Sequence, residues 1–554
     1  MTKSQSIKAI TAEYLSTLTV TSADDIEKIS EELLKKTHEA FDEHNVICNK
    51  DEKWKKNDGL TVAQIADVLN NVFTFRRICC SGENNDESYD ILGVYVDNIL
   101  VDYMSDYQDR VGTYITSEDV FEIIISKFVY GIDTGDIFEV VKTLRRIATR
   151  VYRCDEIDLI AVANGIFNYK TKELMDFSLD KVFLTKSQVR YNHAAQNVFI
   201  TMPDGEVWDV ESWMETLAPN DPELVNLFWQ IIGAIIRPNV RWNKAAFLVS
   251  EKGCNGKGTL CELMRSICGK GSYTSIPLAN FGKEFRLEPL IRASAIIVDE
   301  NDVGGGFLDK AGDLKAVITN DVIQINRKFK VPVTFQFKGF MVQCLNEVIR
   351  TKDKSDSFLR RQIYIPMKAN FAGSDERTYI KEYYIHRQDV LEYVLKKVLE
   401  MDYYKFDIPA CCEEALEDFK QMNNPVYDFW VEFRNLFVWD LLPFSFLYAL
   451  YKKWFDDTKP SGSVVGDKTF IRELLNIIDA DDDWCCEDKT KQISSSKGNM
   501  GNPELLIARY QLKDWMAPHY KGADPAKISM PALATKYRGI QRVMTSSVTE
   551  EDED

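Results

Sequence analysis

Residues 245–269 read AAFLVSEKGCNGKGTLCELMRSICG. The opening AAFLVS is a short apolar run of the kind a buried strand needs. Leu260, Leu263, Met264 and Ile267 then recur at i, i+3, i+4 and i+7, which is one face of a helix, and Gly269 stands just past its end as a stop signal. EKGCNGKG therefore joins a strand to a helix N-terminus, where backbone N–H groups and the helix dipole can hold an anion. The phosphate-loop pattern G-x-x-x-x-G-K-[ST] is met in part, because Glu251 holds the place of the first glycine and Gly258 that of the hydroxyl residue. Gly253 and Gly256 still allow close backbone approach, and Lys257 can reach the β- and γ-phosphates. Thr259, one residue late, can serve Mg²⁺ directly or through water. Gly253, Asn255, Gly256, Lys257, Gly258 and Thr259 are the expected ATP loop. A structural strand–turn–helix and a nucleotide kinase, whose loop also ends in GKGT, are the competing readings of these residues alone.

Context favours the phosphate loop. AIIVDE (295–300) is an apolar strand whose C-terminal end carries two carboxylates, and ligands bind at such ends in open α/β sheets. Phosphoryl transfer to water needs charge neutralisation and a positioned nucleophile. Asp299 is assigned to the Mg²⁺ shell and Glu300 to the attacking water. FKGFMVQCLNE (337–347) is another apolar strand, and it delivers Asn346 towards the γ-phosphate or the water. DSFLRRQIYIPM (356–367) places Arg360 and Arg361 before a further strand, where Arg361, with Arg360 beside it, can stabilise charge on a phosphate held by a neighbouring subunit. Short apolar strands separated by helices, from about 244 to 367, describe an α/β unit with a largely parallel sheet.

In order and compact spacing these elements resemble the superfamily 3 helicases of viruses, phages and mobile elements. The D5/P4 branch is the most similar. It typically carries N-G-K in the loop, as Asn255-Gly256-Lys257 does here, and R-R before I-P-F, where this chain has Arg360-Arg361 and Ile365-Pro366-Met367. The resemblance implies a multidomain α/β protein with an AAA+-like motor, a homohexameric ring translocating 3′→5′, and ATP and Mg²⁺ as cofactors. It also implies that DVIQINRKFKVPVTFQF (321–337) is a β-hairpin entering a central channel, with Arg327, Lys328, Phe329 and Lys330 at its tip. Cations there would neutralise backbone phosphates, and an aromatic could stack on a base. Single-stranded and forked DNA, an origin duplex and a separate primase are the implied partners.

Primase-fused relatives carry paired acidic ligands and a histidine near the N-terminus. Here Asp133 and Asp136 stand without any histidine between His44 and His193. The reading is a helicase without its own primase. A non-enzymatic origin-binding or structural protein with a decayed motor is the remaining rival, raised by Glu251 and the shifted Thr259.

The 554 residues allow roughly three or four domains. An α-rich region is expected over 1–150, with DILGVYVDNILVDYM (90–104) as a strand pair. A region preceding the motor in D5-type proteins is expected over 151–236, where 158–178 forms two strands with a turn near Lys170. The motor follows over 237–375, a helical linker over 376–440, a winged-helix-like region over 441–520 and an acidic tail over 521–554. Lys468, Arg472, Lys489, Lys491 and Lys497 are that region's candidate duplex contacts.

The formal net charge of −18 means that nucleic acid must be met by local basic elements. The 12 cysteines lack CxxC spacing and the five histidines are scattered, which fits reduced thiols in a cytoplasmic, host-cell setting and no Cys/His metal site. MTKSQSIKAITAEYL has no apolar core for a signal peptide, and LVNLFWQIIGAII (224–236) is too short to span a bilayer, so no membrane role is expected.

Overall fold

The computed structural model describes residues 2–81, 90–250, 253–301, 311–328, 330–346, 356–371, 377–458, 464–479 and 481–543. It divides into two compact units, Met1–Ala415 and Leu416–Asp554. The division falls inside the stretch read as a helical linker.

The N-terminal part of the first unit is helical at its start. In the helix Ala23–Ile47 the buried residues Ile26, Ile29, Leu33, Thr37 and Phe41 fall on one stripe, and Ser22 with Asp25 forms a capping box. These helices cover a four-stranded sheet of β1 (Phe75–Cys79), β2 (Ile91–Tyr95), β3 (Tyr114–Ile115) and β4 (Thr149–Tyr152), in the order β3-β2-β1-β4. The region is thus α+β. Within 90–104 only the first half is strand. Asp97 accepts a hydrogen bond from the Leu100 N–H at 2.8 Å and starts the short helix Asn98–Tyr103 instead of a second strand.

Three strands, not two, occupy 158–178: β5 (Leu159–Val162), β6 (Gly165–Asn168) and β7 (Glu173–Met175). The turn at 169–172 lies where expected, and Ala163-Asn164 makes an additional tight connection between β5 and β6. A small hairpin, β8 (Ile200–Thr201) and β9 (Val207–Trp208), leads into the helices Val210–Leu217 and Pro222–Ile236. The second of these is buried almost throughout, and no helix of the described residues is long and apolar enough to cross a membrane.

The central sheet of the stretch read as the motor contains β10 (Ala245–Val249), β11 (Tyr273–Thr274), β12 (Ala295–Val298), β15 (Phe340–Leu345) and β16 (Gln362–Pro366), all parallel, in the order β11-β12-β15-β10-β16. A two-stranded antiparallel hairpin, β13 (Val322–Arg327) and β14 (Lys330–Gln336), stands outside that sheet. One continuous core joins residues from β5 and β6, the buried helix, the motor sheet and the helix Gln388–Glu400. That last helix lies in the expected linker, yet its Val390, Leu391, Val394, Leu395, Val398 and Leu399 complete the motor's core.

The second unit packs the helices Pro425–Phe433, Phe444–Thr458 and Asp467–Ile478 around an aromatic core that includes Trp430, Trp439, Trp454 and Trp484. Its antiparallel sheet contains β17 (Leu441–Pro443), β18 (Trp484–Cys485) and β21 (Gly539–Arg542), with β21 in the centre. β19 (Ile493–Ser494) pairs with β20 (Lys536–Tyr537). The stretch 521–543, grouped above with the acidic tail, is therefore part of this fold. Ile540 is fully buried in its core. The acidic end EEDED lies outside the described residues.

Candidate functional site

The parallel sheet brings three strand ends side by side. β15 lies between β10 and β12, so Asn346 stands between the glycine-rich loop and the acidic pair. The loop turns into its helix at Gly256, whose φ is +82°. A Cβ there would meet Leu217 Cδ2 at 2.4 Å, so only glycine suits the position. Asn255 is buried, and its Oδ1 accepts from the Lys257 N–H at 3.3 Å.

The Lys257 ammonium is buried at the strand ends. It donates to Asn346 Oδ1 at 2.9 Å and to the carbonyls of Leu345 and Ser250 at 2.9 and 3.2 Å. These acceptors are neutral, and no carboxylate of the described residues pairs with the amine. Burial holds its pKa below the ordinary lysine value. A buried cation surrounded by neutral dipoles is well placed to receive an anion.

At the tip of β12, Arg265 from the loop's own helix grips Asp299. Nη2 reaches Oδ1 at 2.7 Å and Nη1 reaches Oδ2 at 3.2 Å. This fork holds the Asp299 carboxyl below the usual carboxylate range. Glu262 shares the same guanidinium at 3.2 Å. Asn301 braces the tip, because its amide donates to Gln343 Oε1 at 2.9 Å and to the Cys344 carbonyl at 3.0 Å. Glu300 is exposed beside it.

Arg265 engages both Asp299 oxygens, so the fit to Mg²⁺ must be judged on what they retain. Each oxygen keeps lone-pair capacity, and Mg²⁺ commonly binds one or two carboxylates together with phosphate oxygens and waters. The Asp299 carboxylate therefore retains acceptor capacity for an ion held in that way, with Thr259 as the hydroxyl on the loop's helix. They do not form an all-protein cage.

Thr259, Gly256 and Cys254 line one side of a cavity of about 790 Å³. Trp208, Trp213, Phe371, Arg377 and Lys381 line the other side. This volume suits a nucleotide-sized ligand. The Phe371 N–H donates to the Cys254 carbonyl at 2.7 Å and ties the two walls together. Lys381 Nζ lies 3.4 Å from the point where a Cβ on Gly258 would stand, which makes it a second cation beside the loop. Gly253 is exposed and has open space around it. Sequence reasoning did not find Trp208, Phe371, Lys381 or Arg265. Arg265 carried a signal, two turns along the loop's helix from Lys257. The others come from segments outside the motor motifs.

The paired arginines diverge. Arg361 turns inward, donating through Nη1 to the Ser357 carbonyl and to Ser357 Oγ, and its Nε is buried without a partner. Arg360 is exposed. Arg361 is thus held within its own chain, and Arg360 is the one of the pair open to solvent.

The expected hairpin is present, but its base and flanking cations are engaged. Glu118, in the first turn of the helix Glu118–Phe128, lies 2.9 Å from Lys330 Nζ, 3.7 Å from Arg327 Nη2 and 3.6 Å from Arg145 Nη2. The Gln336 N–H at the hairpin's base donates to the Cys80 carbonyl at 3.0 Å. Lys328 is exposed at the turn. Phe329 and Glu251 lie outside the described residues.

Residues 248–361 match the model of a family of unknown function (DUF5906), and residues 421–515 match the model described as Poxvirus D5 protein-like. The D5-like match thus lies in a segment outside the strand and loop motifs of 245–367, which the first match covers in part. No curated protein matches the chain. Among solved structures, two apo forms of the NrS-1 C-terminal region align at TM-score 0.39. One is 13% identical, covering 75% of this chain and 86% of that chain, and the other is 12% identical, covering 76% and 87%. A JCV helicase bound to a small molecule aligns at TM-score 0.22 with 16% identity, covering 38% of this chain and 58% of its own.

The Arg265–Asp299 pair has a consequence for acid stability. A carboxylate with a depressed pKa stabilises the fold fully above its unfolded value of about 4, and that contribution is lost as pH falls through the lower folded value. Arg265→Met removes the fork. Acid-unfolding curves of the variant should therefore show a smaller loss of stability than wild type as pH falls below about 4. Superimposable pH dependences would mean that the pair does not hold Asp299 ionised.

Proposed function

We propose that this protein is an ATP-driven DNA helicase of the replication type, working as a hexameric ring that translocates 3′→5′. The observation that carries the proposal is the buried Lys257 ammonium, which rests on three neutral oxygens at the strand ends beside a nucleotide-sized cavity. In this reading Gly253, Asn255, Gly256, Lys257, Gly258 and Thr259 cradle the phosphates. Asn346 exchanges its contact with Lys257 for one with the γ-phosphate or the attacking water. Glu300 orients and deprotonates that water, and Asp299, steadied by Arg265, faces the Mg²⁺ shell. Mg²⁺, when bound, neutralises charge on the phosphates. Trp208 and Phe371 are placed to enclose the nucleoside.

Two features support DNA as the polymer. The hairpin β13–β14 carries Arg327, Lys328 and Lys330 around its turn, Lys328 exposed and the other two paired with Glu118. In the C-terminal unit β17, the helices Phe444–Thr458 and Asp467–Ile478, and β18 follow one another, and β17 and β18 flank the later strand β21, an arrangement compatible with a winged helix for duplex or forked DNA. Replication of a phage or mobile element in a host cytoplasm, with a separate primase, is the setting this reading implies.

Phosphate release with and without single-stranded DNA tests the proposal. Turnover should rise with DNA in the wild type. In Glu300→Gln it should collapse while ATP stays bound, because the base is lost and the phosphate cradle is kept. Turnover that needs a small-molecule acceptor would instead identify a kinase, and an inert wild type would identify a binding protein; either result overturns the helicase reading.

The subunit interface has its own test. An arginine acting in trans contributes on the order of 10³–10⁵ in rate in other phosphoryl-transfer systems. Arg360→Ala should abolish turnover, and mixing it with Lys257→Ala under proven subunit exchange should restore part of it. If Arg361→Ala behaves this way and Arg360→Ala does not, the inward Arg361 must turn out on assembly.

DNA must also compete with Glu118 for Lys330 and Arg327. Glu118→Gln should therefore tighten single-strand binding and steepen log K against log salt by about 0.7 for each cation released. Equal affinity and equal slope in the two proteins would mean that Glu118 does not mask the hairpin.

A further inference from the structure

A second cavity, of about 370 Å³, lies between the end of β4 and the base of the hairpin. Its lining includes Arg153, Arg241 and Lys338, with Asp155 as the one carboxylate among the described residues. Arg153 Nη1 donates to the Gln336 carbonyl at 3.2 Å, and its guanidinium lies 5.3 Å from the centre of the Phe335 ring. Lys338 Nζ donates to the Cys154 carbonyl at 3.0 Å. Neither cation is ion-paired with a carboxylate of the described residues. Arg241 is exposed at the edge. The neighbouring amides are used elsewhere. Asn239 donates to the Glu156 carbonyl at 3.0 Å, and Asn320 donates to the Phe337 and Gly339 carbonyls at 2.9 and 3.1 Å.

Like charges gathered in one cavity repel, and burial removes the water that would screen them. Burial first, and Arg153 second, push the Lys338 amine down to about 8. Asp155 opposes this shift only in part, and cations that outnumber the carboxylate beside them are costly unless an anion neutralises them. A guanidinium fork beside an ammonium matches a tetrahedral oxyanion, the fork giving geometry and the ammonium giving charge. We propose that this cavity is a second anion site, in which Arg153, Lys338 and Arg241 take a phosphate group, either from a nucleic-acid backbone or from a free nucleotide. Its walls come from β4 and from the residues around the end of β14, so occupancy ties the N-terminal sheet to the base of the hairpin. The site is separate from the Lys257 loop and does not depend on the role assigned to that loop.

Thermal unfolding of the Lys257→Ala protein with inorganic pyrophosphate tests the site, because that substitution removes the loop's cation. Pyrophosphate should raise the Tm saturably in this background. Adding Lys338→Met should abolish the rise, and adding the exposed Arg241→Gln instead should weaken it without impairing folding. No rise in the Lys257→Ala protein, or a rise untouched by both substitutions, overturns the proposal. So does a Lys338→Met protein that has a lower Tm and an undiminished pyrophosphate response, which is the signature of a purely structural lysine. Two arms separate the sources of phosphate. If a strand supplies it, Arg241→Gln flattens the salt dependence of single-strand binding by about 0.7 and pyrophosphate competes with the strand. If a nucleotide supplies it, that slope is unchanged and ATP raises the Tm at lower concentration than pyrophosphate does.

Discussion

The Lys257 ammonium, held at the ends of β10 and β15 by Asn346 Oδ1 and two main-chain carbonyls, is the contact on which the motor's architecture turns. To hold one cation there, the sheet must place the strand ending in Asn346 beside the loop strand and the acidic strand beyond it. The order β12-β15-β10 meets that requirement. The apolar helix Pro222–Ile236 and the helix Gln388–Glu400 share the core that fixes those strands. A charge buried among neutral acceptors is tolerable in a folded protein and improves when an anion arrives. The resting geometry and the expected chemistry therefore share one origin.

Around that contact the acidic tip is also restrained. Arg265 grips Asp299 from the loop's own helix, and Asn301 ties the segment after Glu300 to β15. Loop, acid pair and amide are thus linked by side chains as well as by the sheet. A displacement at the loop has a direct physical route to the acid pair. The hairpin has a comparable restraint at Glu118, so the part proposed to meet DNA is also the part that the N-terminal sheet and helices hold.

Much of the motor was legible because its signals are local. A strand, a glycine turn and an amphipathic helix fall within 25 consecutive residues, 245–269, and the two later strands β12 and β15 each lead directly into their candidate polar residues. The basic hairpin was expected from the resemblance, which implies one between the acidic strand and the strand ending in Asn346. What escaped depends on distant partners. Trp208 and Phe371 share a cavity with Thr259 only through the packing of segments that carry no motif. Glu118 gives no sign in its own helix of the hairpin that it meets. The strand Gly539–Arg542 is too short to show alternation, and its partner Leu441–Pro443 lies about a hundred residues earlier. Asp97 turned an apparent strand into a helix because one side-chain cap outweighed a brief alternating pattern. Arg361 read as the reaching arginine because sequence order does not reveal that Ser357 captures it.

Equilibrium binding of ATP and AMP to the wild type and to Lys257→Ala tests the central claim most directly. The account predicts that the wild type binds ATP far more tightly than AMP, because the β- and γ-phosphates meet the buried ammonium, and that Lys257→Ala loses this preference. Lys257→Ala binding ATP as tightly as the wild type, with the same preference over AMP, would contradict it.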